Sequence, residues 1–257
     1  MTEGSLFDLT GHVAVVTGGN SGIGLGFARG LARAGADLCI VGRNAERNQA
    51  AAAELSAFGG RVLALSCDVG EEQQVIDTFG RATAELGRID SCFVNAGVSQ
   101  GFIPFVETDL VEFRRVTSLN LDAAFVTLRE AAKLMLAQGE GGSLVATASL
   151  AAHQGVPRGQ SYAASKAGLI AMVNSIAVEL AKHGIRANSV LPGWVETPMT
   201  EGAFAWDRFR ERVHPRIPVR RWGQPSDFES VAVYLASPAS AYHTGDTLLI
   251  DGGYSKF

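Results

Sequence analysis

The chain has 257 residues, 47% hydrophobic and 19% charged, enough to bury a large core in one α/β domain spanning 1–257. Its 22 Lys and Arg against 26 Asp and Glu give a formal net charge of -4. No basic excess marks a nucleic-acid or anionic-membrane surface, so a small-molecule partner is expected. Met1 to Thr10 lacks a basic region followed by an apolar stretch, and no later apolar run approaches the roughly 20 residues of a bilayer span, which predicts a soluble, cytoplasmic protein. Cys39, Cys67 and Cys92 lie far apart without CxxC spacing and read as small buried residues of a reducing compartment; no metal-ligating set is expected.

Seven short apolar runs are predicted as strands, at 12–17, 37–42, 61–66, 89–94, 143–147, 186–191 and 247–250. Runs such as Val13-Ala14-Val15-Val16 are apolar at every position, as parallel strands covered on both faces require. Helical spacing lies between them: Ile23, Phe27 and Leu31 fall four apart, and Gly35 offers a left-handed cap. Right-handed strand-helix-strand crossovers predict a three-layer Rossmann fold, a doubly wound seven-stranded parallel sheet with helices on both faces. Ligand is expected beyond the carboxyl ends of the strands, where the winding reverses. No repeat, low-complexity tract or linker divides the chain, and the longest irregular piece, 194–224, is expected to be a substrate loop after the sixth strand.

Directly after the first predicted strand, Thr17-Gly18-Gly19-Asn20-Ser21-Gly22-Ile23-Gly24 opens a helix whose free N–H groups and dipole favour a pyrophosphate. Gly18 permits a tight turn, Gly22 lets the backbone approach the phosphates, and Gly24 lets the helix pack on the sheet. A purely structural glycine turn is the alternative. The second strand ends in Val41-Gly42-Arg43-Asn44, with no carboxylate where an NAD site usually supplies one to the adenosine ribose. Arg43 therefore favours a 2′-phosphate and NADP(H), with NAD(H) as the alternative; its plain reading is a solvated arginine at a helix start.

Thr17 to Gly24, Asn95-Ala96-Gly97, Asn120, Ser149, Tyr162-x-x-x-Lys166 and Pro192-Gly193 resemble, in chain order and spacing, the short-chain dehydrogenase/reductase family over almost the whole chain. Any one of these alone is weak. The resemblance implies an NAD(P)-dependent oxidoreductase interconverting a secondary alcohol and a ketone by hydride transfer. Reducing a ketone takes a hydride at carbon and a proton at oxygen, so a donor must reach that oxygen, and Tyr162 is the candidate with helical support. A free tyrosine titrates near ~10, so Lys166, at i+4 on the same helix face, is expected to stabilise the phenolate. Ser149, just beyond the fifth strand, would hydrogen-bond the substrate oxygen or merely cap the next turn. Asn120 sits in a helical pattern it suits poorly and is expected to bond its own backbone. Asn95-Ala96-Gly97 leaves room for a cofactor or forms a plain turn.

The resemblance further implies that Lys166 bonds the nicotinamide ribose and that a water at Asn120 extends the proton path. It implies that Asp68 and Val69 hold the adenine, a helix cap being the competing role for Asp68. Val195 and Thr197, after Pro192-Gly193, would hold the nicotinamide carboxamide so that hydride leaves from the pro-S face. Two features depart from many NADP-using members: no basic residue precedes Gly22, and Trp194 is bulky where the substrate side is expected. Substrate choice is expected in the loop after Gly97 with Phe102 and Phe105, in His153 and Gln154, and in 194–221. Arg208, Arg210, Arg212, Arg216, Arg220 and Arg221 would draw in an anionic substrate or form a solvated face. The opening Leu6-Phe7-Asp8-Leu9-Thr10-Gly11 and the glycine loop resemble members acting on sugar acids, such as gluconate dehydrogenases, with β-ketoacyl-carrier-protein reductases nearly as similar. A non-catalytic cofactor-binding regulator, or an isomerase or dehydratase on the same fold, are the readings from other classes; the presence of Ser149, Tyr162 and Lys166 speaks against the first. Similar proteins are usually homotetramers, and Ala163-Ala164 and Ala167 would let the helices carrying Asn120 and Tyr162 pack closely on another copy.

Overall fold

Seven strands, β1 (Val13–Thr17), β2 (Asp37–Gly42), β3 (Val62–Ser66), β4 (Ser91–Val94), β5 (Gly142–Thr147), β6 (Ile185–Pro192) and β7 (Thr247–Ile250), form one sheet in the computed structural model. Their order is β3-β2-β1-β4-β5-β6-β7, and every pairing is parallel. The described residues are 6–256; residues 1–5 and 257 lie outside them, and with them part of the reading of the chain's start and both ends of the 1–257 span. The nine helices of the described residues are α1 (Gly22–Arg33), α2 (Ala45–Ser56), α3 (Glu72–Leu86), α4 (Leu110–Thr117), α5 (Ala123–Gln138), α6 (Gln160–Leu180), α7 (Glu201–Phe204), α8 (Asp207–Val213) and α9 (Glu229–Ala236).

Successive side chains of a strand point to opposite faces, and β1 divides its residues accordingly. Val13 and Val15 join an apolar cluster with α3, α5 and α6, whereas Ala14 and Val16 join a second with α1, α2 and α9. Both faces are therefore dry, which is why these runs do not alternate. From β1 the chain winds outward through β2 and β3, then returns to the other side of β1 to lay down β4. The carboxyl ends of β1 and β4 thus diverge into a crevice, the place where open α/β sheets hold ligands.

The strand boundaries shift slightly from those expected. β1, β3 and β4 begin one or two residues later than the apolar runs, and β5 and β6 one residue earlier. At the late starts a carbonyl accepts from the neighbouring strand before the paired ladder opens, as His12 O does from Asp37 N and Arg61 O from Leu38 N. The 194–224 segment is not irregular as expected: it contains α7, α8 and a 3₁₀ turn at His214–Arg216. The helical stretch Gln160–His183 runs 24 residues and contains an 18-residue window of mean hydropathy 1.3, which passes for a membrane span by length and composition only. One face of that stretch, with Leu169, Val173 and Ala177, is buried on the sheet, while Ala164, Ala167 and Val178 leave its other face small and apolar too.

The three cysteines are buried and unpaired; burial pushes the Cys39 thiol up to about 12. At the centre of the second cluster, the Phe27 ring lies 5.2 Å from that of Phe93 and 6.2 Å from that of Phe228. Phe27→Ala is expected to cost about 3–5 kcal/mol of stability, read as a lower urea midpoint; a change below about 1 kcal/mol would contradict this packing.

Candidate active site

The crevice is built where three strand ends are tied together. Thr17 Oγ1, ending β1, accepts from Asn95 N at 3.0 Å and Ala96 N at 3.2 Å. Asn95 Oδ1 in turn accepts from Thr147 Oγ1, at the end of β5, at 3.2 Å. The loop from β1 into α1 turns through Gly18 and Gly22, at φ 65 and 52, the left-handed region that glycine enters without penalty. A Cβ on Gly24 would stand 2.3 Å from Gly18 O, so only glycine lets the helix start this close beneath the loop. Ser21, the N-cap of α1, makes no side-chain cap bond, and the first turn carries no acidic side chain. The N–H groups and positive dipole end of α1 are thus available to an anion.

Two joined cavities open here. One of about 530 Å³ is walled by Ser21, Gly22, Ile23, Asn95, Ala96, Gly97, Ser149, Tyr162, Lys166, Pro192, Gly193, Val195 and Thr197. The other, of about 310 Å³, shares Gly18, Ser21, Arg43, Ala96 and Gly97 with the first and adds Asn20, Asp68 and Val69. The structure therefore brings nearly every residue expected at a cofactor to one continuous cleft, with Gly24 beneath its floor. Asp68 does not cap α3, whose N-cap is Glu71; its Oδ1 accepts from Gly70 N at 3.0 Å in the turn before it, and its Oδ2 stands 4.0 Å from Arg43 Nη1.

Tyr162 and Lys166 sit one turn apart on α6, with the Lys166 Nζ 5.8 Å from the centre of the Tyr162 ring. Lys166 is 4% exposed, and its Nζ donates to Thr147 O at 2.7 Å. Burial disfavours the ammonium and lowers it to about 8. Burial also raises the Tyr162 phenol above its ordinary 10.0, opposed in part by a hydrogen bond with Ser149. Burial is the larger of the two effects, so the phenol of this structure is biased toward its protonated form. Of the two roles anticipated for Ser149, the structure shows the cap: its Oγ accepts from Ala151 N at 3.2 Å at the start of the 3₁₀ turn Leu150–Ala152, while the residue also walls the larger cavity beside Tyr162.

Asn120 lies in a π-helical turn, Ser118–Asp122, between α4 and α5, and is 1% exposed. It does not bond its own backbone as expected. The widened turn aims the side chain inward, where Oδ1 accepts from Val98 N at 2.8 Å and Nδ2 donates to Val98 O at 3.0 Å and to Ser165 Oγ at 3.1 Å. A Cβ on Gly97 would come 2.9 Å from Asn120 Oδ1 and 3.6 Å from Lys166 Nζ, so the asparagine and the amine adjoin the same point of the cleft.

Other expected residues lie elsewhere. His153 is exposed at the end of the 3₁₀ turn and lines neither cavity. The Trp194 ring turns into an apolar cluster, edge-on to Phe209 at 4.8 Å, and borders a separate cavity of about 240 Å³. Arg208, Arg210, Arg212, Arg216, Arg220 and Arg221 are exposed and line neither part of the cleft, which matches the solvated-face reading; Arg221 pairs with Asp227 at 2.6 Å. Two residues the motifs did not single out matter at the adenosine end. Arg47, one turn beyond Arg43, lines both cavities, and the i+4 spacing was there to be read. Asn48 is buried, donating to Gly42 O and Leu65 O at 2.7 and 3.0 Å and accepting from Asn20 Nδ2 at 2.6 Å; its partners are remote in sequence and leave no periodic signal.

Residues 18–255 match a family model described as enoyl-(acyl carrier protein) reductase. The chain is 39% identical to a 2-dehydro-3-deoxy-D-gluconate 5-dehydrogenase of Escherichia coli over 97% of its own length and 98% of the relative's. It is 37% identical to an L-rhamnose 1-dehydrogenase (NAD(P)(+)) of a Sphingomonas species, over 95% and 96%. A crystal structure of a short-chain type dehydrogenase/reductase from Mycobacterium marinum superposes with a TM-score of 0.92 at 37% identity, covering 97% of this chain and 98% of that one. A protein of Beutenbergia cavernae, provisionally assigned as an NAD(P)-dependent gluconate 5-dehydrogenase and holding NADP at low occupancy, superposes at 0.93 with 36% identity, covering 98% and 100%. The chain belongs to the short-chain dehydrogenase/reductase family, whose named relatives are oxidoreductases acting on CH–OH groups.

The buried amine has a consequence for stability. With the folded pKa of Lys166 lowered to about 8 from an ordinary 10.5, the unfolded chain binds this proton more tightly. The cost is full below about pH 8 and is relieved as pH rises toward about 10.5. Relative to Lys166→Met, the wild type should therefore gain stability between pH 7.5 and 10, measured by urea titration at each pH. Parallel pH profiles for the two proteins would refute the burial of a charged amine.

Proposed function

We propose that this protein interconverts a secondary alcohol and a ketone with a nicotinamide dinucleotide, preferring NADP(H) and accepting NAD(H). The observation that carries the reading is the convergence of Ser149, Tyr162 and Lys166 on one cleft whose other end is an uncapped helix N-terminus beside two arginines. When bound, the nicotinamide supplies or accepts the hydride. Gly18, Asn20, Ser21, Gly22, Ile23 and Gly24 cradle the pyrophosphate, and Asp68 with Val69 takes the adenine. Arg43 and Arg47 hold the 2′-phosphate through charge-assisted bonds. Asn95, Ala96 and Gly97 let the cofactor approach the backbone; Pro192, Gly193, Val195 and Thr197 hold the nicotinamide end, and Tyr162 and Lys166 its ribose.

Ser149 Oγ orients the substrate oxygen, and the Tyr162 hydroxyl gives that oxygen its proton in reduction and takes it back in oxidation. A phenol kept protonated by burial is suited to the first direction. The Lys166 charge stabilises the phenolate that donation leaves behind, and the path past Lys166 toward Asn120 resupplies the proton. The cleft is also walled by Ser99, Met199 and Thr200, and the named relatives that act on sugar acids and sugars support a sugar acid or related hydroxy compound as substrate. The protein acts as one dinucleotide-binding unit, in a cytoplasm that would keep its three thiols reduced. It assembles as a homotetramer through α4, α5 and α6, where Leu110, Val111, Phe125 and Val178 stand exposed and a second copy would cover them.

Tyr162→Phe is expected to bind the cofactor as the wild type does while losing at least about 10²-fold in kcat, measured on a panel of sugar acids, ketoesters and ketoacyl thioesters; substantial residual turnover would refute the role. Arg43→Ala and Arg47→Ala should each raise KM for NADPH about tenfold and leave KM for NADH within about twofold. Equal losses for both cofactors would contradict a 2′-phosphate site.

A further inference from the structure

Helix α6 begins at Gln160 after Gly159, an N-cap with no side chain to offer the first turn. Such a turn has N–H groups without intrahelical partners. The side chain that meets them comes from sixty residues earlier. Gln100 Oε1 accepts from Ser161 N at 2.9 Å and from Ser161 Oγ at 2.6 Å, and its Nε2 donates to Gln160 Oε1 at 3.1 Å. Gln100 is 8% exposed, and Ser161 is fully buried. The next residue is Tyr162.

Gln100 is itself held. In the segment that leads out of β4, Val98 is bound through both backbone groups by Asn120. Ser99 O accepts from Arg115 Nη2 at 3.2 Å, and Gly101 N donates to Glu112 Oε1 at 3.3 Å. Four consecutive residues are thus tied to α4, the π turn and α6. A second tie to α6 runs from Asn120 Nδ2 through Ser165 Oγ to Tyr162 O, the last step 2.7 Å. The stretch that walls the cleft with Val98 and Ser99 is therefore joined to the helix of Tyr162 on both sides of that residue.

We propose that Gln100 is a positioning residue for proton transfer: by closing the first turn of α6 it sets the height of the Tyr162 hydroxyl over the cleft. The proposal rests on Tyr162 being the proton donor. A cap alone contributes about 1 kcal/mol to stability, but a displacement near 1 Å at a reacting group costs as much as about 10²-fold in rate. The effect of losing Gln100 should appear in the chemical step before it appears in binding.

The test uses the full chain with the best substrate of the panel, comparing Gln100→Leu, Gln100→Glu and Ser161→Ala with Tyr162→Phe. Gln100→Leu should lower kcat about tenfold and enlarge the solvent deuterium isotope effect on kcat, while cofactor Kd stays within about twofold. Gln100→Glu keeps the acceptor and places a charge that a helix N-terminus favours, so kcat should recover to within about threefold of the wild type. An unchanged kcat and isotope effect in Gln100→Leu would overturn the proposal, as would a joint fall of kcat, cofactor affinity and melting temperature that Gln100→Glu does not rescue. Should Gln100→Leu fail to fold, Ser161→Ala, which removes the 2.6 Å hydroxyl bond alone, decides: an enlarged isotope effect supports the assignment, and an unchanged one ends it. Turnover in Tyr162→Phe would defeat the parent reading, whereas an inactive Tyr162→Phe beside a fully active Gln100→Leu defeats this proposal alone.

Discussion

A lysine amine in a site with almost no access to water can keep its proton only if the surroundings compensate for lost hydration. Lys166 finds a carbonyl, Thr147 O, at the end of β5, and that bond constrains what lies around it. It sets α6 against the end of β5, so that Tyr162, one turn earlier on the same face, reaches the cleft. Opposite it, Asn120 Oδ1 would stand 2.9 Å from any Cβ on Gly97, which favours glycine there. The same bond also draws a second polar group into the same space, because Asn120 can arrive there only from a helix widened into a π turn. A buried amine, a buried asparagine and a π turn thus meet at one end of the cleft, as expected where structure yields to chemistry.

The sheet supplies the place for that arrangement. Reversal of winding between β1 and β4 opens the crevice, and Thr17, Asn95 and Thr147 tie the three strand ends that border it. Dry clusters on both faces hold the sheet rigid beneath. The phosphate end and the reacting end are thereby built from different segments yet held at a constant separation, the condition for oriented transfer between a cofactor and a substrate.

The strands and their parallel arrangement were legible because residues buried on both faces of a sheet must be apolar at successive positions, as Val13–Val16 of β1 and Leu38–Val41 of β2 are. The glycine loop and the Tyr162 and Lys166 pair were legible because each follows a rule of spacing. The bond of Asn120 to Val98 was not, since a π turn leaves the helical pattern intact while redirecting one side chain. Gln100 and Asn48 were invisible for a related reason: each satisfies backbone groups brought near only by the fold. Trp194 and His153 were placed by their position after strands, but the turn that follows decides where a side chain points. In α7 and α8 the packing of Phe204 and Phe209 on Trp222, the rings of Phe204 and Trp222 stacked at 4.2 Å, orders a stretch whose short helices lack a readable period.

In the free protein burial holds the proton on Tyr162; in the proposed reaction, positive charge brought by a bound oxidised cofactor would favour its release. With four tyrosines in the chain, isotopic labelling of their ring carbons and NMR titration would follow each phenol, Tyr162→Phe identifying the resonance that matters. Tyr162 is expected to titrate above 10.0 in the free protein and to shift downward on binding oxidised NADP, whose nicotinamide would add a positive charge to the site. A Tyr162 resonance that titrates at the same pH with and without the oxidised cofactor, or moves upward on binding, would contradict it.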